Sequence, residues 1–182
     1  MERKMLTIGQ TFPEFNVTGV TSNEMSGFKQ FDNHSANGKW QVFFFWPKDF
    51  TFICPTEIEE FGALNEKFNQ LNTQLYGVST DSEFVHMAWR KSHPGLSNLP
   101  FPMLSDIKRD LSATLGILHP EAGVCLRATY IVDPEGVIRH VSVNDLSVGR
   151  NPAEILRILE GLQNGGLMPC NWQPGQAPLK VA

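Results

Sequence analysis

The chain has 182 residues, 41% of them hydrophobic and 19% charged, proportions that fit one globular domain and exclude a disordered, collagenous or disulfide-stapled chain. Its formal net charge of −4, with Lys and Arg scattered, argues against a nucleic-acid partner, and its longest apolar run, residues 42–46, cannot cross a bilayer. With no apolar leader at the N-terminus a cytoplasmic location is expected, and three cysteines, an odd number in a reducing compartment, leave at least one thiol free, shared between chains or reactive.

In chain order, residues 11–37 mix short alternating stretches with turn residues and read as a hairpin with a loop. From about residue 40 the pattern becomes α/β layering. Residues 41–46 form a continuous apolar run ended by Pro47, a strand covered on both faces. Ile58, Phe61, Leu64, Phe68 and Leu71 recur at helical spacing, so residues 54–71 are expected to form an amphipathic helix leading to a parallel strand over residues 75–79. Asp81-Ser82 caps a second helix carrying Phe84, Val85, Ala88 and Trp89, which His93-Pro94-Gly95 breaks. A short strand is expected at Met103-Leu104, and a third helix over residues 111–115 ends at Gly116. Residues 128–132 form a strand, turn at 133–136 and return over 137–143. The last helix opens at Asn151-Pro152, carries Ile155, Leu156, Ile158, Leu159 and Leu162, and ends at Gly165-Gly166. The chain thus divides into an α/β domain over residues 1–164 and a flexible arm over 165–182, rich in Pro and Gly, that carries Cys170.

Cys54 falls at the junction of the first long strand and its helix. There, unpaired amide N–H groups and the helix dipole favour a thiolate; the alternative is a small buried hydrophobe among phenylalanines. Ionisation alone would not make a fast nucleophile. A thiol of pKa about 8.5 is already a few per cent ionised near neutrality, so full ionisation gains little more than an order of magnitude. Donors must also meet the charge that develops in the transition state. Thr51, three residues earlier, can place a hydroxyl near the sulfur, and a remote Arg could supply a guanidinium.

Pro47, Thr51 and Cys54 fill the pattern Pro-Xaa-Xaa-Xaa-Thr-Xaa-Xaa-Cys, which resembles the active-site signature of the peroxiredoxins. The string from Phe45 to Glu57 is similar to that of their alkyl hydroperoxide reductase C subfamily. Phe101-Pro102, Leu104-Ser105-Asp106, Arg127-Ala128-Thr129, Ile131 to Pro134, Val148 to Asn151 and a late Cys170 extend the likeness over nearly the whole chain. The resemblance implies a thioredoxin-like fold with an N-terminal hairpin extension and a C-terminal arm. It also implies a thiol-dependent peroxidase, with hydrogen peroxide or an organic hydroperoxide as substrate and no metal or organic cofactor. By the same resemblance Cys54 attacks the peroxide and becomes a sulfenic acid. Arg127 stabilises the thiolate and polarises the peroxide, Thr51 hydrogen-bonds the reacting oxygens and Pro47 packs over the site. Glu57 orients the arginines, with Arg150 as a second guanidinium. Cys170 resolves the sulfenic acid of a partner subunit. A dithiol protein reductase, thioredoxin-like or of alkyl-hydroperoxide-reductase type, and a homodimer that can build a ring of dimers complete the set. A ring could equally act as a chaperone or a signalling relay.

Pro169-Cys170-Asn171-Trp172 departs from the Val-Cys-Pro context familiar in the family, which leaves the reductant open, and without the resemblance Cys170 could be a tail cysteine with no role. Cys125, between Val124 and Leu126, is expected to be buried; a second reading makes it reactive through Arg127. His34, His86, His93, His119 and His140 share no ligand spacing with one another or with the cysteines, and no Cys-Xaa-Xaa-Cys occurs, so zinc is not expected. A Cys/His hydrolase would need one of these histidines beside Cys54. Trp89 either borders the site or packs the core, and the aromatics over residues 43–52 are expected to be core with a share forming an apolar peroxide entrance. The Gly-Gly-Leu-Gly insertion and terminal Tyr-Phe pair of peroxide-sensitive relatives are missing, which implies resistance to overoxidation.

Overall fold

In the computed structural model, which describes residues 4–180, seven strands form one mixed sheet in the order β2-β1-β5-β4-β3-β6-β7. Residues 1–3 and 181–182, which enter the readings of the two termini, lie outside the described residues. β1 (Asn16–Val20) and β2 (Phe28–Asp32) are the N-terminal hairpin, and β1 also joins β5 (Met103–Ser105) antiparallel. The centre is parallel, β3 (Trp40–Phe45) beside β4 (Thr73–Ser79) and β4 beside β5. β6 (Arg127–Val132) runs antiparallel to β3 and is followed by β7 (Ile138–Asn144) at the far edge.

The alternation of side chains along β3 explains why its sequence is apolar at every position from Val42 on. Val42, Phe44 and Trp46 enter one core with Ile58, Phe61, Leu156 and Leu159, while Phe43 and Phe45 enter the other with Tyr76, Leu111, Leu115 and Tyr130. Both sets are fully or almost fully buried. α1 (Cys54–Gln70) and α4 (Pro152–Asn164) pack on the first face with Trp89 of α2 (Glu83–Ser92); α3 (Asp110–Thr114) contributes to the second. The expected caps are present: Ser82 Oγ accepts from the Val85 amide, and Asn151 Oδ1 accepts from Ala153 and Glu154. Expected and observed elements agree to within a residue or two.

Gly77 on β4 has a packing reason. A Cβ there would lie 2.7 Å from the Trp46 ring, so the missing side chain lets the indole cross the strand. Among the described residues the segment after α4 has no helix or long strand, and two contacts attach it. Trp172 is 2% exposed, and Leu167 pairs with Leu179. The aromatic run also divides. Phe43 to Trp46 are core, whereas Phe50 is 57% and Phe52 93% exposed.

Candidate active site

Cys54 is the first residue of α1, with Pro55 following where a missing amide hydrogen does no harm. Its side chain is fully buried. Thr51 Oγ1 lies 3.0 Å from Cys54 Sγ and 2.9 Å from the Lys48 carbonyl oxygen. A hydroxyl has one hydrogen to donate. Against a thiol it can donate to Lys48 and accept from the S–H; against a thiolate it turns to donate to sulfur.

Arg127 reaches the same sulfur from the start of β6, its Nη1 3.4 Å from Sγ. Two partners hold that guanidinium: Nη1 donates to Glu57 Oε2 at 2.7 Å and Nε donates to the Leu146 carbonyl at 2.8 Å. Glu57, one turn along α1 from Cys54, also binds Arg150. Its Oε1 accepts from the Arg150 amide at 2.9 Å and Nε at 2.8 Å, and its Oε2 accepts from Nη2 at 2.9 Å. Arg150 donates onward to the Ala128 carbonyl and lies 5.6 Å over the Phe44 ring. Burial alone would raise the Glu57 carboxyl, but the hydrogen bonds and charge of Arg150, with the charge of Arg127, outweigh it and hold the group below its ordinary value. Two guanidiniums and one carboxylate leave one positive charge uncompensated beside the sulfur.

The structure therefore gathers Thr51, Cys54, Glu57, Arg127 and Arg150 at one point. Pro47 is half-buried in the loop between β3 and α1. Cys170 is not in this cluster; it is exposed, on the segment packed against α4. Cys125 is fully buried in the other core, and burial, with the charge of Asp106, pushes its thiol far up. Its neighbours are not those of Cys54, because Arg127 points across the sheet to the first face. All three cysteines are free thiols.

A second cluster holds the loop between β3 and α1, and it was missed in the sequence. Asp49 Oδ1 accepts from Trp46 Nε1 at 2.8 Å, and Oδ2 lies 2.7 Å from Nδ1 of the fully buried His86. The other ring nitrogen of His86 lies 3.2 Å from the Leu104 carbonyl, which can only accept. Both nitrogens thus face acceptors, and the imidazolium suits both. Burial opposes that charge, but the charge and hydrogen bond of Asp49, helped by Leu104, prevail and raise the group above its ordinary value. The Asp49 amide donates to Asp81 Oδ2, which also accepts from Ser79. This cluster positions the backbone two residues before Thr51. No spacing links Asp49 to a histidine 37 residues later; the one available signal was a histidine on the apolar side of a helix. None of the five histidines is among the hydrogen-bond partners of Cys54, which are Thr51 and Arg127.

Phe50 and Phe52, in the loop between β3 and α1, and Val148, in the loop between β7 and α4, are apolar side chains each more than half exposed. Phe50 sits in the left-handed region, φ 55°, with its ring 5.8 Å from Trp89. Trp89, 2% exposed and 6.5 Å from Trp46, therefore packs the core and supports Phe50 at once.

Residues 8–141 match the AhpC/TSA family. Over its length the chain is 48% identical to the alkyl hydroperoxide reductase C of Mycolicibacterium smegmatis, covering 97% of this chain and 95% of that protein. The solved structure of Mycobacterium bovis AhpC is 47% identical and superposes with a TM-score of 0.86 over 93% of this chain and 99% of that one. The reduced two-cysteine peroxiredoxin of Plasmodium vivax, 32% identical, superposes with a TM-score of 0.87 over 94% of this chain and 92% of its own. Fold, site and comparisons agree: the chain belongs to the AhpC/TSA family and has the thioredoxin-like fold of the peroxiredoxins.

Proposed function

We propose that the chain is a thiol-dependent peroxidase that reduces hydrogen peroxide and organic hydroperoxides in antioxidant defence. The observation that carries this reading is the buried Cys54 sulfur at a helix start, met by Thr51 at 3.0 Å and by a guanidinium at 3.4 Å that Glu57 fixes in place. The thiolate attacks the terminal peroxide oxygen. The S–O bond forms as the O–O bond breaks, sulfur is oxidised by two electrons to Cys54–SOH, and the alcohol or water leaves after taking up a proton. Negative charge spreads from sulfur to the leaving oxygen, along the line where the Arg127 and Thr51 donors stand preorganised. Pro47 limits water around the sulfur.

Cys170 from a second subunit then resolves the sulfenic acid, and a dithiol protein of thioredoxin or alkyl-hydroperoxide-reductase type reduces the disulfide. Two features support an intersubunit route. Cys170 is not among the groups that meet Cys54 in its own chain, and β7, at the edge of the sheet, is bonded at Ile138 to Gly9 and Gln10 but offers the rest of its outer edge to a second copy. No helix among the described residues is long and apolar enough to cross a membrane, which is compatible with action in the cytoplasm.

The test is peroxide consumption by Cys54→Ser and Cys170→Ser with a panel of purified dithiol reductases. Cys54→Ser is expected to be inactive. Cys170→Ser should still form the sulfenic acid but lose the peroxide-induced dimer on a non-reducing gel. Undiminished turnover in Cys54→Ser would end the reading.

A further inference from the structure

Arg157 of α4 has no part in the Cys54 cluster, yet it is bound on both sides. Its Nε and Nη2 donate to the two carboxylate oxygens of Glu154, at 2.6 and 2.7 Å, a fork-to-fork pair one turn apart on the helix. Its Nη1 donates at 3.0 Å to the carbonyl of Trp172, two residues beyond Cys170. That carbonyl belongs to a closed turn. The Trp172 amide donates to the Pro169 carbonyl at 3.1 Å, and Asn171 between them has φ 57°, so Cys170 stands at the corner of a tight turn. The Trp172 ring is buried, with its Nε1 donating to the Gln176 carbonyl at 2.9 Å, and the Leu179 amide closes the segment on the Leu167 carbonyl. A cavity of about 600 Å³ lined by Ile158, Leu162, Met168 and Trp172 opens beside the exposed thiol.

We propose that Arg157, oriented by Glu154, is a positioning residue that clamps the Cys170 turn to α4 and sets the rate at which Cys170 reaches the sulfenic acid. The inference rests on the peroxidase reading above. A disulfide requires Cα atoms within about 7 Å, so the element carrying one sulfur or the other must travel. α1 is poorly suited to do so beyond its first turn: Ile58 and Phe61 are fully buried and Glu57 is bonded to two arginines. The arm is attached through Trp172 and a few hydrogen bonds, so most of the movement falls to it, and the Arg157 to Trp172 bond breaks on the way. The step it gates is balanced without a further reagent. The Cys170 sulfur displaces the hydroxyl of Cys54–SOH, the S–O bond breaks as the S–S bond forms, and the hydroxyl leaves as water with the thiol proton.

Rapid mixing with peroxide separates the two steps, since sulfenic acid formation is first order in peroxide and disulfide formation is independent of it. Arg157→Ala is expected to leave the first step within twofold of the wild-type rate and to accelerate the second roughly tenfold, the lower end of the effect of one lost hydrogen bond to a charged donor. The sulfinic fraction at a given peroxide dose should fall in proportion. Arg157→Lys, which keeps a donor, should restore a rate near wild type. Glu154→Gln, a change on the exposed face of α4, should accelerate the second step by a smaller factor and carries the test if Arg157→Ala does not fold. A merely structural role would lower stability without moving the second step alone. An unchanged or slower disulfide step in Arg157→Ala or Glu154→Gln, with the first step intact, overturns the clamp. Absence of any Cys54–Cys170 disulfide in a wild-type chain that still consumes peroxide would instead overturn the resolving step on which it rests, and absence of peroxide consumption the peroxidase reading itself.

Discussion

Replacing Glu57 by Gln removes one negative charge from between two buried guanidiniums and keeps the side-chain volume. The carboxylate now accepts four N–H bonds of 2.7–2.9 Å, from Arg127 Nη1 and from the Arg150 amide, Nε and Nη2. An amide offers one acceptor oxygen in place of two, and turns its own N–H groups toward donors that cannot accept. Both arginines are at most 4% exposed in their side chains, so water cannot substitute. Breaking a buried ion pair from one side costs about 3–5 kcal/mol, a large part of a typical domain's stability. The consequence for chemistry follows from geometry. Arg127 loses one of its two anchors and keeps only the Leu146 carbonyl, so its Nη1 no longer holds station at the sulfur. Removing a preorganised donor outright costs about 10²–10³ in rate; displacing it should slow sulfenic acid formation by about tenfold to a hundredfold. Urea unfolding and the second-order rate of peroxide oxidation measure the two effects in one preparation. The double variant Glu57→Gln/Arg150→Gln should recover part of the stability by removing one of the stranded cations. Because the folded carboxyl is held below its ordinary value, the Glu57 contribution is full above the unfolded pKa of about 4.3 and is lost as pH falls through the folded value; the two proteins should converge in acid. A Glu57→Gln protein within 1 kcal/mol of wild-type stability and within twofold of its oxidation rate would refute the claim that this carboxylate holds the site.

His86 has the opposite sign: its group is raised in the folded state, so its stabilisation is full below about pH 6.5 and is lost as pH rises through the folded value. The Tm difference between wild type and His86→Gln is expected to shrink on the alkaline side, and a difference that grew with pH would contradict the Asp49 pairing. Thr51→Val, which deletes the hydroxyl 3.0 Å from sulfur, should slow the first oxidation step by about tenfold or more at unchanged Tm, with Thr51→Ser near wild type. Gly77→Ala should force the Trp46 ring off its strand, lower stability by about 1–3 kcal/mol and change tryptophan fluorescence; an unaltered spectrum and Tm would mean that the close approach is relieved without cost.

Most of the fold was legible because its signals are local. The apolar run over residues 42–46, short and ended by Pro47, reads as a strand covered twice, the period of Ile58, Phe61, Leu64 and Phe68 as a helix face, and Asn151-Pro152 marks a helix start by its own chemistry. The pairing of Thr51 with Cys54 was legible for the same reason, since they lie three residues apart; Pro47 entered with the resemblance and lies half-buried in the same loop. Arg127, Glu57 and Arg150 entered through the family resemblance, because the sheet order that places β6 beside β3 is not written in any one segment. The Asp49–His86 pair was invisible. Its members are 37 residues apart, and a buried histidine on α2 looks the same in sequence whether or not a carboxylate faces it. The contacts of the arm were illegible for a complementary reason: Pro and Gly weaken periodicity, and a single buried side chain, Trp172, leaves no period to read.

The charge balance of the cluster ties the chemistry to the movement that must follow it. Arg127, Arg150 and Glu57 together carry one positive charge, and on the proposed cycle the attacking Cys54 thiolate, at the first turn of α1, neutralises it with its sulfur 3.4 Å from Arg127 Nη1. On the proposed cycle the sulfenic acid is neutral, so oxidation strands the positive charge and removes that attraction from the N-terminal turn of α1. At an effective dielectric of about 20, unit charges 4 Å apart interact by roughly 4 kcal/mol, so even a fraction of this difference is large against the stability of one helical turn. The residue next to be exposed is thus the one whose reaction loosened it. On that cycle Cys54 would leave its pocket without a separate signal, because the loss of its charge loosens the turn that buries it.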